Sequence, residues 1–225
     1  MQLLELANAY RALASNVSAE PHVIARVQDG TGTALFVAAA QARPLAIDPE
    51  AVAAIQEGLR GVVRLPSGTA HSLASDDFGI PVMGKTGTSS DFRDALFVGS
   101  TYGTEGVTVA VRIGYDDNRE LGAKETGGRA ALPIFRDVVR GIYTQRLMGQ
   151  TPQFPEEMEQ RITDYVTYAS AEPADGWEAA PVAAVEPAAL LPVRLFSAVA
   201  PVALIQSAPM FDPGRPERRP QGGRH

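Results

Sequence analysis

Cysteine is absent from the 225-residue sequence, which excludes disulfides, thiolate metal sites and a cysteine nucleophile. Histidine is scarce: His22, His71 and His225 lie far apart in the sequence, and none has the spacing of metal ligands. A basic surface is lacking as well, because 26 acidic residues outnumber 20 basic ones and no basic stretch contains interleaved aromatic residues. We therefore expect no metal, no other cofactor and no nucleic-acid partner.

Neither a secretory signal nor a membrane span is evident in the sequence. The first residues lack the positive and apolar regions of a signal peptide. The apolar run over residues 188–205 is interrupted by Pro192, Arg194 and Pro201, which argues against a transmembrane helix. The stretch MQLLELANAYRALAS instead predicts an amphipathic helix with no capping residue before it. Such a start is expected of a helix cut from a longer chain, and a natural start is the alternative.

Hydrophobic periodicity predicts an antiparallel meander with helices packed on it, an α/β protein of the α+β type. The predicted strands cover residues 82–88, 94–101 and 107–115, and the predicted helices cover residues 2–15, 49–63 and 132–146. The YGTEG link between the second and third strands is short enough only for a hairpin. Asp48 is the expected N-cap of the second helix. A separate hairpin is predicted around the Asp-Gly-Thr-Gly turn at residues 29–32.

The composition changes near residue 147, which predicts a boundary between two regions. Residues 1–146 carry the strand and helix patterns described above. Residues 147–225 form an extension that is rich in alanine, proline and valine and has no sustained period. One short helix is expected within residues 151–170, and the extension is otherwise expected to be mostly disordered.

Lysine is the scarcest charged residue, and one of the two lysines lies in a strand-like run. Lys85 begins the sequence KTGT, and the other lysine is Lys124. The backbone of an edge strand can pair with an extended peptide, and Gly87 permits close approach. The charge of Lys85 and the hydroxyl of Thr88 suit an anionic group such as a terminal carboxylate. The alternative is an ordinary strand lysine that extends into solvent beside a turn.

Longer stretches around this motif resemble a known family in collinear order. GKTGTSSDFRDALFVG and GYDDNRELGAKETGGRAALPIF resemble the C-terminal half of the transpeptidase domain of class A penicillin-binding proteins. The helix that follows this family's Ser-x-Asn motif resembles the stretch LLELANAYRALAS. The helix that precedes its Lys-Thr-Gly strand resembles the stretch AVAAIQEGLRGVV. The similarity ends near residue 146, and Leu96 stands where many relatives carry tryptophan. It implies part of the penicillin-binding transpeptidase fold, which is β-lactamase-like.

The resemblance also implies a role for each residue of the KTGT sequence. Lys85, Thr86, Gly87 and Thr88 are implied to line one wall of the catalytic cleft and to bind substrate. Lys85 and Thr88 are the implied catalytic residues, because they would orient the carboxylate of the substrate or of a β-lactam. The backbone N–H of Thr88 would be an oxyanion-hole donor.

Other polar residues that match family positions suit turns and strand ends better than chemistry. These residues are Asp94, Asp116, Asp117 and Arg119. The paired aspartates lack the ligand spacing of a calcium loop. Gly127 and Gly128 are expected to permit a tight turn before the last helix.

The sequence lacks the nucleophile of this family, a serine followed three residues later by a lysine that takes the hydroxyl proton. Val82 and Leu121 stand three residues before the two lysines, so no Ser-x-x-Lys occurs, and no Ser-x-Asn occurs either. We therefore expect a C-terminal portion of a larger enzyme, inactive alone, whose partner is the upstream half of the same enzyme. Since the family's sheet also takes upstream strands, an exposed sheet edge is expected too.

Two functions of different classes remain open at this point. The first is a truncated or split D,D-transpeptidase that acts on D-Ala-D-Ala stem peptides in peptidoglycan cross-linking. By resemblance it would act in the cell envelope, on the periplasmic side of the inner membrane. The second is a non-catalytic remnant that binds a partner or nothing. A β-lactamase-like hydrolase is a third possibility, which the synthase-like stretches GYDDNR and ETGGR disfavour.

Overall fold

Four α-helices and eight short strands form the part of the chain that the computed structural model describes, residues 2–38, 41–75, 77–170 and 202–206. The helices are α1 Leu3–Ser15, α2 Pro49–Arg64, α3 Leu132–Thr144 and α4 Glu156–Ser170. The strands are β1 Val17–Ser18, β2 Arg26–Gln28, β3 Ala34–Val37, β4 Arg43–Pro44, β5 Met83–Thr88, β6 Asp94–Ser100, β7 Thr108–Gly114 and β8 Val202–Gln206. Helices α1, α2 and α3 confirm the three predicted helices.

The central sheet has the strand order β5–β6–β7–β8. Strands β5, β6 and β7 form the predicted antiparallel meander, with Lys85 opposite Val98 and Val98 opposite Ala110. Strand β8 pairs in parallel with β7. Two small antiparallel sheets join β1 to β4 and β2 to β3, and the second is the predicted hairpin. The α+β fold class is thereby confirmed.

Helices cover both faces of the central sheet. On one face, α3 packs through Phe135 against Phe97, and the two rings meet edge to face with centroids 4.7 Å apart. On the other face, α1 packs through Ala7 against Val98 and Ala110. The sheet is therefore buried from two sides, which explains why β6 and β7 are nearly continuous apolar runs in the sequence.

The starts of the first two helices differ in how well the sequence predicted them. The Asp48 carboxylate accepts a hydrogen bond from the Glu50 backbone N–H at 2.9 Å, which confirms the predicted N-cap of α2. The expectation that α1 has no cap was wrong. The Glu5 carboxylate accepts a hydrogen bond from the Gln2 backbone N–H at 2.7 Å. The capping side chain belongs to the first turn of α1 itself, so it is not found when only the residues before the helix are considered.

A buried cation attaches α4 to α2. The Arg60 side chain is 1% exposed and donates to Glu159 Oε1 at 2.7 Å and to the Met158 carbonyl at 2.6 Å. Its guanidinium lies over the Phe154 ring, 4.3 Å from the centroid. Burial lowers the pKa of Arg60, and the negative charges of Glu159 and Glu57 act against that decrease. Because its polar atoms have partners, this buried charge is compatible with a stable α2–α4 interface.

We expect Glu159→Gln to lower the free energy of unfolding by about 1 to 2 kcal/mol, because the bond to a buried guanidinium loses the negative charge of its acceptor. Glu159 also pairs with Arg64 at 3.1 Å. Urea unfolding of the purified chain measures the change. The matched control is Glu156→Gln, which removes the same charge from an exposed position of α4. Equal effects of the two substitutions would contradict a specific role for the Arg60 contact.

Two parts of the extension from residue 147 are helix and strand in the structure, namely α4 and β8. The disorder expected beyond them falls on residues outside the described part of the chain, so the domain boundary stays a prediction. One edge of the central sheet, along β7, is covered by β8. Along β5, no described strand lies on the other edge. None of the described helices combines the length and apolar character needed to cross a bilayer.

Candidate functional site

The KTGT residues lie on β5, at the edge of the central sheet that no described strand covers. On its inner side β5 pairs with β6, and Lys85 lies opposite Val98 while Thr88 lies opposite Ala95. An edge strand presents backbone N–H and C=O groups to its surroundings. This edge can therefore accept an extended peptide as an added strand.

Strand alternation divides the four residues between the two faces of the sheet. Thr86 lies opposite Phe97, which packs on α3, and Thr88 is on the same face as Thr86. Lys85 lies opposite Val98, which packs on α1, so Lys85 and Gly87 belong to the other face. The Lys85 ammonium and the hydroxyls of Thr86 and Thr88 can therefore contact the same ligand only if that ligand lies along the open edge of β5.

Each threonine hydroxyl of the motif has a partner in a neighbouring segment. Thr86 Oγ1 lies 2.7 Å from Thr69 Oγ1, in the loop that follows α2. The backbone N–H of Gly127 donates to Thr88 Oγ1 at 3.2 Å. Because Thr88 accepts this bond, its own hydroxyl proton remains for an acceptor at the open edge. The two bonds hold both side chains in defined orientations.

Gly127 and Gly128 pack directly on this part of the sheet. They begin a π-helical turn, Gly127–Ala131, that leads into α3. A Cβ atom at Gly127 would collide with the carbonyl oxygen of Leu96 and would lie 2.5 Å from the carbonyl oxygen of Gly87. A Cβ atom at Gly128 would lie 2.7 Å from the carbonyl oxygen of Thr69. The sequence predicted a tight turn here, and the structure adds that Gly127 is needed for close contact with β5 and β6 and Gly128 for close contact with the loop after α2.

Lys85 is exposed, and no carboxylate of the described residues forms an ion pair with it. Its ammonium donates to the carbonyl of the adjacent Thr86 at 3.0 Å. Gly87 faces the side chain of Leu96, so that an added Cβ atom would lie 3.2 Å from the Leu96 Cβ. A positive charge without a fixed counter-ion, beside an open strand edge, suits an anionic ligand.

Three of the other acidic and basic candidates make contacts that suit structure rather than chemistry. The Asp94 carboxylate pairs with Arg112 across β6 and β7 at 2.6 Å. The Asp117 carboxylate lies 3.7 Å from Arg119, whose guanidinium stacks over Tyr115 at 3.8 Å from the ring centroid. Within the described residues, no group of three or more His, Asp or Glu side chains is arranged to hold a metal ion.

Sequence reasoning missed Thr69 as a neighbour of the motif. Thr69 and Thr86 are separated by 17 positions, and nothing in their local patterns connects them. The sequence does contain a Gly-Thr pair at residues 68–69, after α2, but this pair by itself indicates only a loop. The contact between these two hydroxyls forms only because the loop after α2 folds back onto β5.

Comparison with known proteins gives consistent similarities. The chain matches the family model of the penicillin-binding protein transpeptidase domain over residues 1–140. It is 34% identical over 142 residues to penicillin-binding protein 1A of Neisseria gonorrhoeae, covering 61% of this chain and 17% of that protein. It is 34% identical over 156 residues to penicillin-binding protein 1A of Aquifex aeolicus, covering 68% of this chain and 20% of that protein.

A solved structure shows the same fold. Penicillin-binding protein 1A from Haemophilus influenzae matches with a TM-score of 0.56 and 23% sequence identity, covering 69% of this chain and 28% of that one. The chain thus spans only 17 to 20% of the length of the two curated relatives named above.

Proposed function

Since this chain belongs to the family of penicillin-binding protein transpeptidase domains, we propose that it supplies the Lys-Thr-Gly wall of a D,D-transpeptidase. The proposed enzyme cross-links peptidoglycan by acyl transfer from D-Ala-D-Ala stem peptides. It would act in the cell envelope, on the periplasmic side of the inner membrane. β-Lactams would bind to the same wall as inhibitors.

The observation that carries this proposal is the placement of the KTGT residues on a strand edge that no described strand covers, with an ammonium that forms no ion pair with a described carboxylate and with an available hydroxyl proton. The backbone of β5 suits an extended stem peptide, which would add as a strand. Lys85 supplies positive charge for the terminal carboxylate of that peptide. Thr88, whose oxygen already accepts from Gly127, supplies a hydroxyl donor to the same carboxylate. Thr86 and Gly87 complete the proposed substrate-binding wall.

The proposed chemistry needs groups that this sequence does not contain. A serine hydroxyl would attack the carbonyl of the penultimate D-Ala while a lysine amine takes its proton, and the terminal D-Ala would leave. The proposed partner is therefore an upstream segment of the same kind of enzyme, which brings Ser-x-x-Lys and Ser-x-Asn to the cleft. In the acyl-transfer step, the backbone N–H of Thr88 would donate to the developing oxyanion.

The test is Lys85→Ala in the chain co-expressed with an upstream transpeptidase segment that carries Ser-x-x-Lys. We expect the rate of acylation by a fluorescent penicillin to fall by about 10²-fold, because a charge-assisted contact to the ligand carboxylate is lost. The rate is measured from the label that remains on the protein after denaturation. Lys124→Ala, which removes the other lysine of the sequence, is the matched control and is expected to leave the rate unchanged.

Two outcomes decide the proposal. Equal rates for Lys85→Ala and the unmodified complex would refute a binding role for Lys85. A specific loss in Lys85→Ala that Lys85→Arg restores in part would support an electrostatic role, since arginine keeps the charge but changes the geometry of the donors.

A further inference from the structure

Thr69 lies on a loop whose backbone is fixed against the end of α2. The backbone N–H of Gly68 donates to the Leu65 carbonyl at 2.8 Å, and the backbone N–H of Ala70 donates to the Val62 carbonyl at 3.1 Å. Ala70 is fully buried, and a Cβ atom at Gly68 would collide with the Val62 carbonyl oxygen. Thr69 is therefore an exposed residue on a backbone that has little freedom to move.

This backbone holds the Thr69 hydroxyl beside the Thr86 side chain. The Thr69 carbonyl packs against Gly128, where an added Cβ atom would lie 2.7 Å from the carbonyl oxygen and 3.8 Å from Thr86 Cγ2. The Oγ1 atoms of Thr69 and Thr86 are 2.7 Å apart, which is the usual distance of a hydrogen bond between hydroxyls. The loop after α2 and the turn before α3 therefore fix this pair together.

The two threonines of the KTGT sequence differ in how the direction of their hydroxyl protons is set. The Gly127 backbone N–H can only donate, so Thr88 Oγ1 accepts and the Thr88 proton stays available. In the Thr69–Thr86 pair, either hydroxyl can be the donor. An ionised carboxylate can only accept. When a carboxylate contacts Thr86, Thr86 must donate to it, and Thr69 must then donate to Thr86.

We propose that Thr69 is a positioning residue of the substrate-binding wall, which donates to Thr86 and so directs the Thr86 hydroxyl proton to the ligand carboxylate. Thr69 acts through Thr86 and does not itself contact the ligand. It gives Thr86 the polarity that the Gly127 N–H gives Thr88, since each threonine then accepts from the protein and donates to the ligand. The inference rests on the proposed function, because it needs a carboxylate at this wall.

Removal of the Thr69 hydroxyl should weaken the bond to a carboxylate in two ways. Thr86 Oγ1 loses a donor, and within a chain of hydrogen bonds a donor to an oxygen strengthens the bond that this oxygen's own proton makes. The Thr86 side chain also loses the polar contact that selects one of its rotamers. A neutral ester should be less sensitive than a carboxylate, because hydrogen bonds to charged acceptors are the stronger ones.

The first test compares Thr69→Val, which removes the hydroxyl, with Thr69→Ser, which keeps it, in the chain co-expressed with an upstream segment that carries Ser-x-x-Lys. The second-order rate constant of acylation is measured with a fluorescent penicillin and with its methyl ester. We expect Thr69→Val to lower the rate constant about 10-fold for the penicillin and about 3-fold or less for the ester. Thr69→Ser should restore the rate constant for the penicillin.

The matched control is Thr163→Val, which removes the same hydroxyl from an exposed position of α4. It is expected to leave both rate constants unchanged. A general loss of packing would lower the two rate constants by the same factor, so the ratio of penicillin to ester separates the positioning role from a merely structural one.

A second measurement does not depend on acylation. NMR coupling constants of isotope-labelled threonine in the 225-residue chain report the χ1 rotamer of Thr86. We expect one dominant rotamer in the unmodified chain and in Thr69→Ser, and averaging between rotamers in Thr69→Val. A single unchanged rotamer of Thr86 in Thr69→Val would overturn the positioning role.

The kinetic outcomes distinguish this inference from the proposed function. If Lys85→Ala lowers the rate of acylation but Thr69→Val behaves like Thr163→Val, the inference is wrong and the proposed function stands. Equal losses for the penicillin and its ester in Thr69→Val would also overturn the inference. Should Lys85→Ala have no effect either, the proposed function fails and the inference fails with it. A selective loss for the penicillin that Thr69→Ser restores would support both.

Discussion

The purified 225-residue chain, incubated with a fluorescent penicillin, is expected to carry no label that survives denaturation. A stable label requires an ester with a serine whose hydroxyl proton is taken by a lysine three residues later. The residues three positions before Lys85 and Lys124 are Val82 and Leu121, so no serine meets this requirement. The proposed wall can bind a carboxylate but has no group with which to form the ester. We therefore expect a complete domain to be labelled and the isolated chain to carry no covalent label.

Co-expression with an upstream transpeptidase segment that carries Ser-x-x-Lys and Ser-x-Asn is the positive control. Labelling should appear in the complex and map to the serine of the upstream segment. Stoichiometric labelling of the isolated chain at any of its own serines would refute the assignment of this chain to the substrate-binding wall. Binding of the two segments without any labelling would instead favour a partner-binding remnant.

Gly127→Ala is expected to lower the free energy of unfolding by about 3 kcal/mol, the upper part of the usual range for overpacking. The added Cβ atom would meet the carbonyl oxygens of Leu96 and Gly87. Backbone atoms of a sheet cannot rotate away as a side chain can, so the turn before α3 must move off β5. That movement also breaks the hydrogen bond from Gly127 to Thr88. Chemical unfolding of the purified chain measures the effect.

Gly58→Ala is the matched control, since it adds the same methyl group at a site with no atom within 4 Å. Gly58 lies inside α2, where alanine is favoured over glycine, so stability should rise by roughly 0.5 to 1 kcal/mol. Opposite signs for the two substitutions would support the contact of Gly127 with β5 and β6. A neutral Gly127→Ala would contradict it and would weaken the assigned orientation of Thr88.

Much of the fold could be predicted from the sequence because the relevant signals are local. Alternation of apolar residues predicted β5, β6 and β7, and the short YGTEG link predicted the hairpin between β6 and β7. The N-cap at Asp48 was predicted because a cap acts within its own turn. The cap at Glu5 was missed, although it is local as well, because only residues before α1 were considered.

The chemistry of the candidate site was also predicted in part. KTGT is contiguous, so its residues share one strand in any fold that makes β5 a strand. The neighbours of that strand are not contiguous with it. Thr69 reaches Thr86 from the loop after α2, and Gly127 reaches Thr88 from the turn before α3. Contacts of this kind depend on how distant segments pack, which a single sequence pattern does not encode.

By itself, the sequence determined the helices, the meander, the KTGT strand and the absence of a serine–lysine pair at the required spacing. Each of these follows from residue identity or from spacing of a few positions. Only the tertiary structure decided that Arg60 is buried against α4, that β8 covers β7, and that no described strand pairs with the outer edge of β5. These features join residues far apart in the chain, and their free energies arise from burial and hydrogen bonding that exist only once the segments pack together.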